Sequence, residues 1–198
     1  MKHSPEDLSH IADFLFEAGM LAKTPRSWSA FLGSGEQSVA EHLNRASYLG
    51  FALSKMAGAD TGKVVQMTLF HDFAEARVSD LNYVHQKYTE KKEEEAIEDM
   101  AKTLPFGDSI KNIIHEYEER KTTEAKLAKD ADNLEFLLSL KEQIDIGNER
   151  AKTWVPSLLK RLLTEEAKEL ASKILETDSD HWWFGEKEDG WWVHRNKV

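Results

Sequence analysis

Leu69-Phe70-His71-Asp72-Phe73-Ala74-Glu75-Ala76-Arg77-Val78-Ser79-Asp80 is the stretch around which the chain is organised. It opens apolar, sets a histidine beside an aspartate, and follows them with two more carboxylates. A helix that only packs has no use for that order. On a helix His71 and Asp72 differ by about 100°, so they do not face each other. The long imidazole and the short carboxylate can still straddle one point at the helix edge and reach a single ion. Glu75 lies four residues after His71 and three after Asp72, on the same side.

The flanks of this stretch read almost entirely as helix. Asp60 caps the helix that carries it, which runs through roughly Ala74. Upstream, Ser38-Val39-Ala40-Glu41 is a capping box that opens a helix to about Met56, before Gly58. Ser4-Pro5-Glu6-Asp7 is an N-cap with proline at the first helical position and acids in the first turn. Leu8, Ile11, Leu15, Ala18 and Leu21 then mark an apolar face. Pro25 ends that helix, and residues 24–37, with Gly33 and Gly35, form a loop.

Downstream, residues 76–88 are expected to be loop with a short helix. Glu93-Glu94-Glu95 begins a charged helix through Ala96, Ile97, Met100 and Leu104 that stops at Pro105; its acid run reads as a solvated face. Ser109 to Glu119 is the next helix. Thr122-Thr123-Glu124 opens a long one, in which Leu127, Ala131, Leu134, Leu138 and Ile144 keep the helical period to about Ile146. Pro156 breaks or kinks the segment after Gly147, and Leu158 to Leu175 is the last helix. With no internal repeat and no strand alternation, the fold is all-α.

A chain of 198 residues fits one domain, or one domain with a tail. That length buries roughly 70% of the surface exposed on unfolding, so no disulfide or structural metal is needed for stability. Cysteine is absent, which excludes thiolate zinc sites and a cysteine nucleophile and suits a reducing cytoplasm. The start, Met1 to Asp7, lacks the basic and apolar regions of a signal peptide. No apolar run approaches a membrane span, so the expected location is cytoplasmic. The net charge of −10 argues against duplex nucleic acid as a partner. A small anionic substrate stays open if a divalent cation and local cations reverse the field in a pocket. Residues 1–176 read as the domain and 177–198 as a tail that holds four of the six tryptophans, among them Trp182, Trp183, Trp191 and Trp192. Exposed tryptophan pairs are unfavourable, so the tail is expected to pack on the domain or on a second subunit rather than to act as a substrate lid.

Two further residues can join His71 and Asp72. His42 sits early in the second helix, before the run turns apolar at Ala46, Leu49 and Leu53. Asp132 lies near the apolar face of the long helix, where an unpaired charge is costly and a metal would supply the partner. His42, His71, Asp72 and Asp132 offer two nitrogens and two oxygens from three helices. That set suits one divalent ion, Mn²⁺, Co²⁺, Fe²⁺, Ni²⁺ or Zn²⁺. Such an ion polarises a phosphoryl group and lowers the pKa of bound water. Glu75 could orient or deprotonate that water; a salt bridge with Arg77 or a lysine is the plainer alternative. Asp80 could serve the site or cap the next turn, and Arg45 is expected to pair a carboxylate. The remaining histidines have no comparable company. His115 with Glu116 and Glu119, and the lysines between Lys121 and Lys129, read as solvated.

The pattern His42…His71-Asp72…Asp132 resembles the H…HD…D signature of HD-domain metal-dependent phosphohydrolases. Its YfbR-like 5'-deoxynucleotidase branch is the nearer match. The segments that look like that branch, in its order, are Pro25-Arg26-Ser27-Trp28, Glu36-Gln37-Ser38-Val39-Ala40-Glu41-His42, His71-Asp72-Phe73-Ala74-Glu75 with Asp80, Glu116-Tyr117-Glu118-Glu119 and Ala131-Asp132-Asn133-Leu134-Glu135. The likeness covers about Leu8 to Leu140. It implies an HD-domain helical bundle and a phosphomonoesterase, usually homodimeric, that removes the 5'-phosphate of deoxyribonucleoside monophosphates. It also implies that His42, His71, Asp72 and Asp132 are the metal ligands and that Glu75 is the catalytic carboxylate. Asp80 would lie near the leaving oxygen or the sugar, and Arg26 and Trp28 would frame the nucleotide. Two alternatives stand beside this. One is another HD activity, on a nucleoside triphosphate, a cyclic nucleotide or an alarmone. Arg26, Arg45 and Arg77 are few cations for a triphosphate. The other is a non-catalytic nucleotide sensor, against which the presence of Glu75 speaks.

Overall fold

A computed structural model describes residues 4–185 and 189–194. Met1 to His3, residues 186–188 and 195–198, and the side chains of Asp189 and Trp191 lie outside the described residues. Helices account for the regular structure: α1 (Pro5–Ala18), a 3₁₀ turn (Gly19–Lys23), α2 (Ser29–Leu32), α3 (Val39–Ala57), α4 (Thr61–Phe70), α5 (Glu75–Val78), α6 (Tyr83–Tyr88) and α7 (Glu93–Ala101). They continue with α8 (Gly107–Glu119), α9 (Thr123–Asp145), α10 (Glu149–Lys152), α11 (Val155–Leu159), α12 (Glu165–Glu176), α13 (His181–Phe184) and α14 (Asp189–Trp192). Among the described residues the one β-type pairing is an isolated bridge between Pro25 and Ser38. The fold is all-α, as the periodicity predicts.

The caps behave as their chemistry requires. Ser4 and Ser38 each form a full capping box, with Asp7 and Glu41 at the third helical position. Asp60 and Thr122 accept from Lys63 and Ala125 backbone N–H groups to start α4 and α9. Each such cap satisfies a donor that the helix leaves unpaired.

The centre of the molecule is α9. Leu127, Ala131, Leu134, Leu137 and Leu140 are fully buried along it, and α3, α4, α8, α10 and α12 surround it. A helix enclosed on several sides has buried residues around most of its circumference. The polar residues that α9 buries, Asp130, Asn133 and Glu135, must therefore find partners inside. A smaller core joins Leu21, Val39, Leu43, Phe73, Met100, Leu104, Ile110 and Ile114.

Four expectations need correction. α1 packs through Ile11, Phe14 and Ala18, while Leu8 and Leu15 are 57% and 63% exposed; Phe14 sets the face by stacking on Phe73 at 5.1 Å. Residues 24–37 contain α2 as well as loop. α4 ends at Phe70, so His71 to Ala74 form tight turns, with Phe73 N–H bonded to the Phe70 carbonyl and Glu75 N–H to that of Asp72. The segment read as one helix from Leu158 to Leu175 is α11 and α12 with a break between. Buried Asp130 accepts from the Leu163 and Thr164 N–H groups (both 2.8 Å) and the Thr164 hydroxyl (2.7 Å), which starts α12 afresh.

The candidate metal centre and the cavity above it

Side chains from α3, the end of α4 and α9 meet at one point. His42 Nε2 lies 3.3 Å from His71 Nε2, 3.5 Å from Asp72 Oδ2 and 3.3 Å from Asp132 Oδ1. His71 Nε2 lies 3.4 Å from Asp72 Oδ2 and 3.8 Å from Asp132 Oδ1. All four residues named from the sequence are thus brought together. The adjacent pair stands where α4 gives way to tight turns, and both side chains reach the same point from there.

The tautomers say what the point is for. His42 Nδ1 is held by Glu135 Oε2 at 2.6 Å, and His71 Nδ1 by the Thr68 carbonyl at 3.0 Å. Both partners are acceptors, so in the neutral rings each Nδ1 carries the proton and each Nε2 presents a lone pair. With no metal bound, burial and Arg26 oppose protonation of His42, but Asp132 and Glu135 push it up to about 9. Two lone pairs 3.3 Å apart, with two carboxylate oxygens beside them, have only acceptors to offer one another. A cation resolves that conflict, and His42, His71 and Asp72 converge closely enough to hold one. Burial works against ionising Asp132, but the Lys129 ammonium beside it holds the carboxyl well below its usual range. Burial likewise opposes ionisation of Asp72, and the Arg26 guanidinium pulls its carboxyl down. The donor set therefore fits a divalent metal.

Outer residues hold these ligands in place. Glu135, fully buried, also accepts from Gln37 (2.6 Å) and Arg45 (2.8 Å), so Arg45 pairs carboxylates as the sequence suggests. Lys129 Nζ (2.7 Å) and Tyr117 hydroxyl (3.2 Å) both donate to Asp132 Oδ2. The solvated reading of Lys129 is thereby corrected. Glu135 and Tyr117 stand in the segments that carry the family likeness, yet their partners lie on other helices. No local pattern announces such contacts.

Glu75 is buried at the start of α5, and Lys91 donates to its Oε1 at 2.9 Å. Its Oε2 has no hydrogen-bond partner among the described residues. Burial, then Asp72 and Asp80, push its carboxyl up to about 8 against the pull of Lys91. Arg77 is not its partner, since that side chain forks onto Glu17. Asp80 accepts from Ser27 N–H (2.9 Å) and the Ser27 hydroxyl (3.2 Å), and its Oδ2 is 3.6 Å from Arg26 Nη1. It follows Ser79, whose φ of +63° costs strain in a residue with a side chain. Asp80 thus anchors the 26–28 loop. Arg26 Nη1 reaches Asp72 at 3.2 Å while its Nε has no partner. Trp28 is mostly buried, its indole N–H donating to Gln37 at 3.3 Å, so only part of its ring serves the site.

A family model described as "HD domain" matches residues 18–175, most of the chain. The chain belongs to the HD domain family. Among curated relatives, a Danio rerio protein named 5'-deoxynucleotidase HDDC2 is 25% identical over 195 residues, covering 87% of this chain and 97% of the relative. A Bos taurus protein of the same name is 28% identical over 145 residues, covering 70% of each. Among solved structures, a predicted metal-dependent phosphohydrolase from Magnetospirillum magnetotacticum matches with a TM-score of 0.69 at 23% identity, over 86% of this chain and 94% of that one. That likeness shows the fold.

Asp72 and Asp132 of the candidate metal centre line a cavity of about 690 Å³, within the range of small-molecule sites. Arg26, Trp28, Asp72, Glu75, Asp80 and Asp132 all line it. So do Arg120, Lys129, Lys160 and Arg161, none of which stood out in the sequence as part of a site. Arg45 and Arg77 do not line it, so the count of nearby cations made from the sequence is corrected in both directions. Four carboxylates and five cationic side chains thus line the one cavity.

Proposed function

We propose that this HD-domain protein is a metal-dependent 5'-deoxynucleotidase that converts deoxyribonucleoside 5'-monophosphates to deoxynucleoside and phosphate. The observation that carries the reading is the convergence of two imidazole lone pairs and two carboxylates at a cavity wall, with the unpartnered Oε2 of Glu75 in the same cavity. The relatives named 5'-deoxynucleotidase support the substrate class.

His42, His71, Asp72 and Asp132 would hold the metal. When bound, a divalent cation supplies Lewis acidity toward a phosphoryl oxygen and toward water. Arg26 binds and orients the phosphate through its free Nε. Glu75 takes a proton from water at Oε2 as the water oxygen attacks phosphorus in line. The bond from phosphorus to the 5'-oxygen breaks, and the proton held by Glu75 is available to that departing oxygen. Lys91 keeps Glu75 in position through Oε1, and Asp80 keeps the Arg26–Trp28 loop beside the metal ligands. The cytoplasm and a homodimer belong to the same reading; the exposed Leu8, Leu15 and Phe16 on α1 are consistent with a covering partner.

A triphosphate is the second reading, favoured by Arg120, Lys160 and Arg161 in the cavity lining. Phosphate release from dAMP, AMP, dATP and 3'-AMP, each with Mn²⁺, Co²⁺, Mg²⁺ or EDTA, separates the two. Release from dAMP that exceeds AMP and 3'-AMP and stops in EDTA is expected. Metal-dependent turnover of dATP alone would transfer the site to triphosphates.

A further inference from the structure

Behind the metal cavity lies a second chamber of about 510 Å³. Phe31, Tyr83, Phe136, Trp154 and Arg161 line both spaces, so the two adjoin. Their chemistry differs. Four carboxylates line the first, whereas the described lining of the second has none and is mostly apolar. Phe136 and Trp154 pack with ring centroids 6.0 Å apart and form the shared wall. At the junction Arg161 Nη2 donates to the Tyr83 hydroxyl at 2.7 Å, joining α6 to the segment after α11. Arg150, the other cation of the chamber, donates to the Phe31 carbonyl at 2.7 Å. Both guanidiniums thus have partners within the protein, and the walls are better suited to a flat aromatic group than to a phosphate.

The geometry points to this chamber as the nucleobase subsite, with Phe136 and Trp154 as its stacking wall and the Tyr83–Arg161 bond as its threshold. The inference rests on the nucleotidase reading: a phosphate at the metal leaves the base to occupy the adjoining aromatic space. Aromatic faces accept any base, since every base has a π-face. Few polar groups are available to read base edges; the Thr153 hydroxyl, for instance, is spent on the Arg150 carbonyl. The subsite therefore favours the presence of a base over its identity.

The test compares dAMP with 2-deoxyribose 5-phosphate, which keeps the phosphate and sugar and lacks the base. Trp154→Ala removes the stacking wall. Ser157→Trp fills the chamber from an exposed position on its rim and leaves the core untouched. Each variant is expected to lower kcat/KM for dAMP by about tenfold or more, the loss that removal of one base–aromatic stack produces, and to leave 2-deoxyribose 5-phosphate within about twofold. Equal effects on the two substrates, or none on either, overturn the subsite. If the wild-type protein releases phosphate from neither substrate, the nucleotidase reading has failed, and calorimetric titration with deoxyadenosine then reads the chamber by itself. Binding that Ser157→Trp abolishes upholds the subsite; absent or unaltered binding overturns it.

Discussion

Lys91 Nζ sits 2.9 Å from Glu75 Oε1, while Oε2 of the same buried carboxylate is left without a partner in the cavity that Asp72 and Asp132 line. One oxygen is used for positioning and the other is free for chemistry. A structural salt bridge would be expected to engage the carboxylate more fully, since an unpaired buried acceptor costs free energy. Functional sites are where such costs persist.

Glu75→Gln keeps the shape of the side chain and removes its basicity. Phosphate release from dAMP is expected to fall by about 10²- to 10⁴-fold, the usual contribution of a general base, while Mn²⁺ affinity measured by calorimetry stays near wild type. Lys91→Met should cost less, because it frees Glu75 to move without removing it. Wild-type turnover in Glu75→Gln would dismiss the residue from catalysis.

The same carboxyl sets a pH dependence of stability. Its folded-state pKa is raised from 4.5 to about 8, chiefly by burial. Between those values the unfolded chain has lost the proton that the folded chain keeps, so stability falls as pH rises, by about 1.4 kcal/mol per unit, and levels above the folded value. In EDTA, Tm is expected to drop from pH 5 to pH 8 in the wild type and to drop less in Glu75→Gln. Added Mn²⁺ should shrink the wild-type slope, because a nearby positive charge favours the carboxylate. Identical slopes in wild type and Glu75→Gln would rule out Glu75 as the source.

Local chemistry made much of this legible. The Ser38–Glu41 capping box and the Asp60 and Thr122 caps are contacts within a few residues, and each appears where the sequence puts it. In the metal set only the adjacent His71–Asp72 pair was legible locally; His42 and Asp132, on α3 and α9, joined it through donor chemistry and the H…HD…D pattern. Long-range pairing was not readable. Lys91 reaches Glu75, Lys129 turns inward to Asp132, and Asp130 cuts a predicted helix in two, all through contacts that depend on how helices dock. No glycine or proline marks the break at residues 160–164, so nothing local announced it. Trp182 is 85% exposed, and the Ser179 N–H donates to Asp145, which ties the tail to the end of α9.

Asp130 offers a test of that docking away from the site. Its carboxylate accepts three hydrogen bonds from Leu163 and Thr164 and ties α9 to the start of α12. Asp130→Ala strands two backbone donors beside a buried helix. A loss of about 3 kcal/mol is expected from urea unfolding, on the scale of charge-assisted bonds and unsatisfied donors. Metal affinity should be unchanged, since Asp130 takes no part in the cluster.

Glu135 should matter to the metal without touching it. It accepts the Nδ1 proton of His42, and that bond is what leaves Nε2 with a lone pair. In Glu135→Gln the amide can turn its NH₂ toward Nδ1, which moves the ring proton to Nε2 and blocks the ligand atom. Losses of this kind typically cost ten- to a hundredfold in metal affinity. Wild-type protein at a free Mn²⁺ concentration a hundred times its Kd gains about 2.7 kcal/mol of stability. His71→Ala and Asp72→Ala are expected to lose that gain, and Glu135→Gln to need ten- to a hundredfold more Mn²⁺ to recover it. An Mn²⁺ titration followed by Tm distinguishes the cases. A Glu135→Gln curve that superimposes on the wild type would mean that the His42 tautomer is set by something other than this bond.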